Sequence, residues 1–263
     1  MTMRGAIGQV FAFFFALGRK SGRARTFALL GLIPVALAVV VRIVLRGREG
    51  DIAAVFSEIL MVFFLQIYIV VLSLFYGTSV TAEEVENRTL SYLLTRPVAK
   101  TAIVLGKYAA YAALMFAMTA IGLTASFFLL NTARLGDPAL YVTFLKSLGV
   151  LGLGILAYTA FFAFLGTVLK RAIILGLVFG FGWETVIQYF PGSTQKFSIV
   201  HYLKSLLPYR PVTGGGGRGV ALLLFRLEPT PPLLAAIALV VIAAVFLALA
   251  CGIFRAKEFL PED

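Results

Sequence analysis

The run L-L-A-A-I-A-L-V-V-I-A-A-V-F-L-A-L-A-C-G-I-F, residues 233–254, carries no charge and no proline over twenty-two positions. Wound as an α-helix at ~1.5 Å per residue it is ~33 Å long, enough to cross the ~30 Å hydrocarbon layer of a bilayer. Its apolar residues do not alternate with polar ones, as those of a barrel strand would. In hydrocarbon every backbone amide needs a partner inside the protein, and a helix supplies one at each turn. This stretch is a membrane-spanning helix.

Five more stretches of similar character precede it, at about residues 26–45, 53–81, 108–132, 147–169 and 172–190. The last two are divided only by Lys170 and Arg171. The predicted fold is therefore an all-α polytopic membrane protein, one transmembrane domain of six spans covering residues 1–263. Composition agrees: 60% of the residues are hydrophobic and 13% charged, whereas a soluble domain carries about 25% charged residues to cover its surface. The single cysteine, Cys251, excludes an internal disulfide framework and reads as a small side chain within the last span. The apolar stretch that follows Arg4 ends in Arg19, Lys20, Arg23 and Arg25 rather than in small residues at a cleavage site, so no cleavable signal is expected.

The net charge is +11. Its basic residues lie between apolar runs rather than on one folded face, so they read as loop-retention signals and contacts to anionic lipid heads, not as a nucleic-acid surface. With the N-terminus in the cytoplasm, that side receives Arg4, Arg19, Lys20, Arg23, Arg25, Arg88, Arg96, Lys100, Lys107, Lys170, Arg171, Arg255 and Lys257. The opposite side receives Arg42, Arg46, Arg48, Arg134 and Lys146 before a long loop at 191–232. The asymmetry places both termini in the cytoplasm of a bacterial-type inner membrane.

Three segments outside the spans add detail. Residues 4–25 mix Phe11, Phe13, Phe14, Phe15 and Leu17 with a basic end, the pattern of a helix lying along the cytoplasmic leaflet. In the external loop Phe197, Val200, Leu203 and Leu207 recur at helical spacing, predicting a helix that sits on or dips into the outer interface. The T-G-G-G-G-R-G run at 213–219 lacks the Gly-Lys-Ser/Thr of a phosphate-binding loop and reads as a connector; the triplet Leu105, Gly106, Lys107 fails the same test.

The segment after the second span differs from every other loop: T-S-V-T-A-E-E-V-E-N-R-T-L-S-Y-L-L-T-R-P-V-A-K, residues 78–100. Thr81 and Glu84 have capping-box spacing. Glu83, Glu84 and Glu86 cluster where basic residues are the rule, and Leu90, Leu93 and Leu94 form one apolar helical face before Pro97 stops the helix. On the residues alone this is either an interfacial helix that spaces two spans or a docking helix for another protein. The glutamates favour a protein partner, because an anionic leaflet repels them.

The pattern E-E-x-E-x-x-T-L-x-x-L-L-x-x-P-V, followed by a basic residue and then L-G-K, resembles the signature of ABC exporter permeases of the type-two class. Members of that class include the permease of the nitrous-oxide-reductase maturation cluster and drug or peptide exporters. The residue-level match is confined to about 83–107, while the six-span plan, the basic N-terminal helix and the long loop before the last span extend it over most of the chain. The resemblance implies that 83–97 is a coupling helix docked on a separate ABC ATPase subunit. It assigns that contact to Glu83, Glu84, Glu86, Thr89, Leu90, Leu93, Leu94, Arg96 and Pro97. It further implies pairing with a second copy or a similar permease, export as the direction, no catalytic or metal residues, and no cofactor in this chain, with ATP and magnesium on the partner.

Inside the spans, Glu184 beside Trp183 is either an interfacial acid or a cavity-lining one that meets a cationic substrate or Lys196. Gln66 is placed to bond across a helix pair or to line the path. Gly176-x-x-x-Gly180 permits close helix approach, and under the resemblance contributes to a dimer interface; Gly149, Gly152 and Gly154 offer the same in the fourth span. An intramembrane enzyme is disfavoured, since the spans hold no paired carboxylates and the single His201 has no second ligand near it in sequence. A channel or secondary transporter is the remaining alternative, and it leaves the acidic segment unexplained.

Overall fold

In a computed structural model of the chain, residues 3–45, 49–81, 99–187, 193–207 and 230–256 are described. Among them there is helix and no strand. The helices are α1 (Met3–Lys20), α2 (Gly22–Leu30), α3 (Ile33–Val44), α4 (Glu49–Glu58), α5 (Ile69–Ser79), α6 (Lys100–Leu130), α7 (Pro138–Val168), α8 (Ala172–Leu177), α9 (Glu184–Val186), α10 (Ile199–Leu206) and α11 (Pro232–Ala256). Two π-helical stretches interrupt them, Ile59–Tyr68 between α4 and α5 and Val178–Trp183 between α8 and α9.

Among the described residues five helices are long and apolar enough to cross a membrane: Gly22–Val44, Val55–Ser79, Lys100–Leu130, Pro138–Val168 and Pro232–Ala256. The stretch predicted as the fifth span is shorter, Ala172–Val186, or about 22 Å of helix. The third and fourth spans start earlier than the predicted 108 and 147. Charges at Lys100, Lys107 and Lys146 argued for loop, yet each lies within a continuous helix, and Lys107 is 1% exposed. The first span is broken at Gly31 and Leu32 because Pro34 lacks the amide that would reach Leu30. Gly31 fits there since any larger side chain would run into the Tyr68 hydroxyl, which donates to Phe27 O at 3.0 Å.

The second and fourth spans form the centre. α5 and α7 approach until a Cβ on Gly77 would stand 3.0 Å from Thr159 O, and one on Gly166 would stand 2.8 Å from Thr78 O. Tyr68, Phe64, Tyr158 and Phe162 are fully buried around that seam. The first and last spans stay largely outward-facing, with Leu37, Val40, Ile43, Val240 and Val241 exposed as a lipid-facing helix requires. α1 packs along the first turns of α6, where Gly106 admits Val10 and Gly18 admits Leu114.

Candidate functional site

The sequence-predicted coupling residues Glu83, Glu84, Glu86, Thr89, Leu90, Leu93, Leu94, Arg96 and Pro97 lie outside the described residues. The structure does describe both places where that segment joins the bundle. On the leading side, Lys107 reaches from α6 to donate to Ser79 O at 3.1 Å. Arg23 of α2 donates to Ser79 Oγ at 3.0 Å. Two residues on, Thr81 Oγ1 donates to Ala163 O of α7 at 3.0 Å. Cations are favoured here because the last carbonyls of α5 carry the negative end of its dipole. The Lys107 ammonium also sits over the Phe14 ring, 4.7 Å from its centroid, and 6.0 Å from that of Tyr111. On the trailing side the chain re-enters the bundle at Ala99, the extended residue that precedes α6.

A second polar cluster lies farther along α7, beside Tyr158. Glu184, 4% exposed, accepts from Ile199 N at 3.1 Å, from Val200 N at 3.3 Å and from the Ser198 hydroxyl. Ser198 is the extended N-cap of α10, and its Oγ accepts from His201 N at 3.3 Å. Glu184 and Ser198 together satisfy three amides that a helix start leaves unpaired. This outcome was in neither sequence expectation for Glu184, because the residues that hold it follow fourteen positions later. The Tyr158 hydroxyl stands within electrostatic reach of the same carboxylate without forming a well-shaped hydrogen bond.

α10 is the expected loop helix, and it dips into the bundle rather than resting on it. Val200 and Leu203 are buried against α7 and α11, and Leu203 comes within 3.1 Å of where a Cβ on Gly154 would stand. This carries polar groups inward. His201 is 1% exposed, with Nε2 2.9 Å from Thr230 Oγ1 and Nδ1 without a hydrogen-bond partner among the described residues. Burial, and then the charges of Lys196 and Lys204, hold the His201 pKa below its ordinary value. Burial pushes Lys204 down to about 8, and the nearby Glu184 opposes that shift. No group of three or more His, Cys, Asp or Glu among the described residues could hold a metal ion.

The other predicted residues are spread out. Trp183 is half-exposed, stacks on Phe179 with centroids 6.0 Å apart, and points Nε1 at Phe197 O. Gln66 is half-buried within the π stretch of the second span. Gly176 and Gly180 make their close approaches inside the chain, to Leu74 and Val70 of the second span and Phe162 of the fourth. Gly152 and Gly154 do likewise, against Phe116, Ile69 and Leu203, whereas Gly149 faces open space.

A protein-family model described as ABC-2 family transporter protein matches residues 48–259. The chain belongs to that family. This ABC-2 protein is thus a multi-pass membrane permease of an ABC transporter, a transport subunit of a type that works with an ABC ATPase. No curated protein matches it. The match covers the Glu184 cluster, the segment between Thr81 and Ala99, and Ser79, Thr81, Lys107 and Ala163 of the first cluster; α1, α2 and α3, with Phe14 and Arg23, lie outside it.

Proposed function

We propose that this ABC-2 permease is half of an ATP-driven exporter of a bacterial inner membrane. Two six-span copies pair, both termini lie in the cytoplasm, and two ATPase subunits dock beneath them through residues 83–97. ATP closes the ATPase pair, the docked segments move with it, and a cavity between the copies alternates its opening. The observation that carries this reading is the acidic, leucine-striped segment interposed between two fixed helix ends, Ser79 to Thr81 and Ala99, in a chain of this family. Since Gly176 and Gly180 are used within the chain, the face available to a second copy is the outward one of α8 and the π stretch after it, with Ile174, Leu177 and Val178. Gln66 and Trp183 then border the path, while Glu184 holds the start of α10.

Expression of the tagged chain with its genomic neighbours and purification in mild detergent tests the reading. A nucleotide-hydrolysing chain in one-to-one ratio with the permease is expected. Recovery without any ATPase, with ATP-independent solute flux in vesicles, would instead establish a channel or secondary transporter.

A further inference from the structure

Four spans converge on the three residues that lead into 82–98. Ser79 belongs to the second span, Arg23 to the start of the first, Lys107 to the third, and Ala163, which accepts from Thr81, to the fourth. The Lys107 contact bridges the two helices through which the segment enters and leaves the bundle, since α5 ends at Ser79 and α6 begins at Lys100. Such a contact keeps the two helix ends from splaying, so that a push on the intervening segment displaces both together.

Packing does not explain a lysine there. Methionine would fill the same volume without desolvating an ammonium, and buried charge is weak as a source of stability. The surrounding groups are those that hold a cation: a carbonyl at a helix C-terminus and the faces of Phe14 and Tyr111. Gly106, one residue earlier, lets α1 close over the site, with Val10 Cγ1 only 2.6 Å from a would-be Cβ. L-G-K at 105–107 thereby acquires a physical reason: the glycine admits the covering helix and the lysine crosses beneath it.

We infer that Lys107, aided by Arg23, is a positioning residue for energy coupling, bracing the ends of the second and third spans so that motion of the ATPase-docked segment reaches the bundle as one displacement. The inference rests on the proposed function. It is tested in the full complex with its co-purified ATPase, reconstituted in proteoliposomes. Phe197→Cys in a Cys251→Ala background serves as reporter, because Phe197 is 76% exposed and stands next to the Ser198 cap of α10. The readout is the change in its labelling rate by a membrane-impermeant maleimide on adding ATP and vanadate.

Lys107→Met is expected to shrink that ATP-dependent change about 2- to 30-fold, the range in which residues remote from both ligands alter coupling. The nucleotide-free labelling rate and the ATPase stoichiometry stay as in the parent. Arg23→Gln, at an exposed residue, shifts the response the same way by a smaller factor and decides the matter where Lys107→Met does not assemble. A full ATP-dependent change in both variants, with the ATPase still bound, overturns the brace and leaves the exporter reading standing. Absence of an ATPase from the unaltered complex overturns both.

Discussion

Replacing Glu184 by glutamine keeps its volume and removes one oxygen from a site where three donors converge. The amide oxygen still accepts from Ile199 N. The amide nitrogen then takes the position that served Val200 N and the Ser198 hydroxyl. Ser198 can turn its hydroxyl to accept, but the Val200 N–H faces another donor in a buried site. Leaving one buried amide unsatisfied costs ~1–3 kcal/mol, and losing the negative charge at the start of α10 costs ~0.3–1 kcal/mol more. The undocking of α10 should therefore become easier by about 1.3–4 kcal/mol, which makes exchange through local opening roughly 9- to 900-fold faster. Hydrogen exchange followed by mass spectrometry on peptides covering 199–206 measures this directly. Peptides from Lys100–Leu130, which do not touch the cluster, serve as the internal reference. Exchange in α10 within threefold of the parent, or an equal rise in the reference helix, would refute the capping role.

Two further expectations come from the packing and charge of the bundle and one from the proposed docking of residues 83–97. Gly77→Ala should lower the melting temperature in detergent, because its added methyl meets the Thr159 carbonyl at 3.0 Å and Phe162 Cβ at 2.9 Å, whereas Gly149→Ala meets nothing and should raise stability by ~0.5–1 kcal/mol. Lys204 binds its proton less readily when docked, near pH 8 against its usual 10.5, so its contribution is complete above about pH 10.5 and is lost as the pH falls through 8. Intrinsic-rate-corrected protection of α10 should accordingly climb between pH 8 and 10.5, and Lys204→Met should flatten the climb. Glu83→Lys with Glu84→Lys should leave insertion intact while at least tenfold less cargo moves per ATP hydrolysed; transport at the parent rate would count against the docking assignment.

What could be read from the sequence and what could not divide along physical lines. Hydrophobic run length identified the membrane fold and located five long spans, because a bilayer imposes one length scale on every crossing helix. Charge misleads at two helix starts: Lys107 and Lys146 read as loop, but the helices extend past both, with Lys107 buried. The amphipathic periodicity of 196–207 located α10, but its depth depends on Gly154, 49 residues before Leu203, making room for it. The same limit applies to Glu184. Its chemistry marks it as unusual, while its partners Ser198, Ile199 and Val200 lie fourteen to sixteen positions later, beyond the reach of any local pattern.

The two polar clusters lie at different levels of one pair of helices, and that placement constrains how they can communicate. α7 offers Ala163 O to Thr81 near its C-terminal end and receives Leu203 at Gly154 near its middle. Nine residues separate those points, or about 13 Å along the helix. α7 is seated on α5 by close approach at Gly77 to Thr159, between those points, and at Gly166 to Thr78, just beyond them, contacts that cannot slide without a clash. The pair therefore moves as a strut, because close-packed interiors respond by discrete rigid shifts rather than by gradual deformation. The irregular helix lies elsewhere, in Ile59–Tyr68 ahead of the strut and in Val178–Trp183 immediately before Glu184. Such π stretches interrupt the regular ladder, are a common cause of kinks and recur at functional sites. A displacement applied at Ser79 and Lys107 would thus pass through α5 and α7 undiminished and be absorbed next to the Glu184 cap. α10 is the first element whose docking it would disturb.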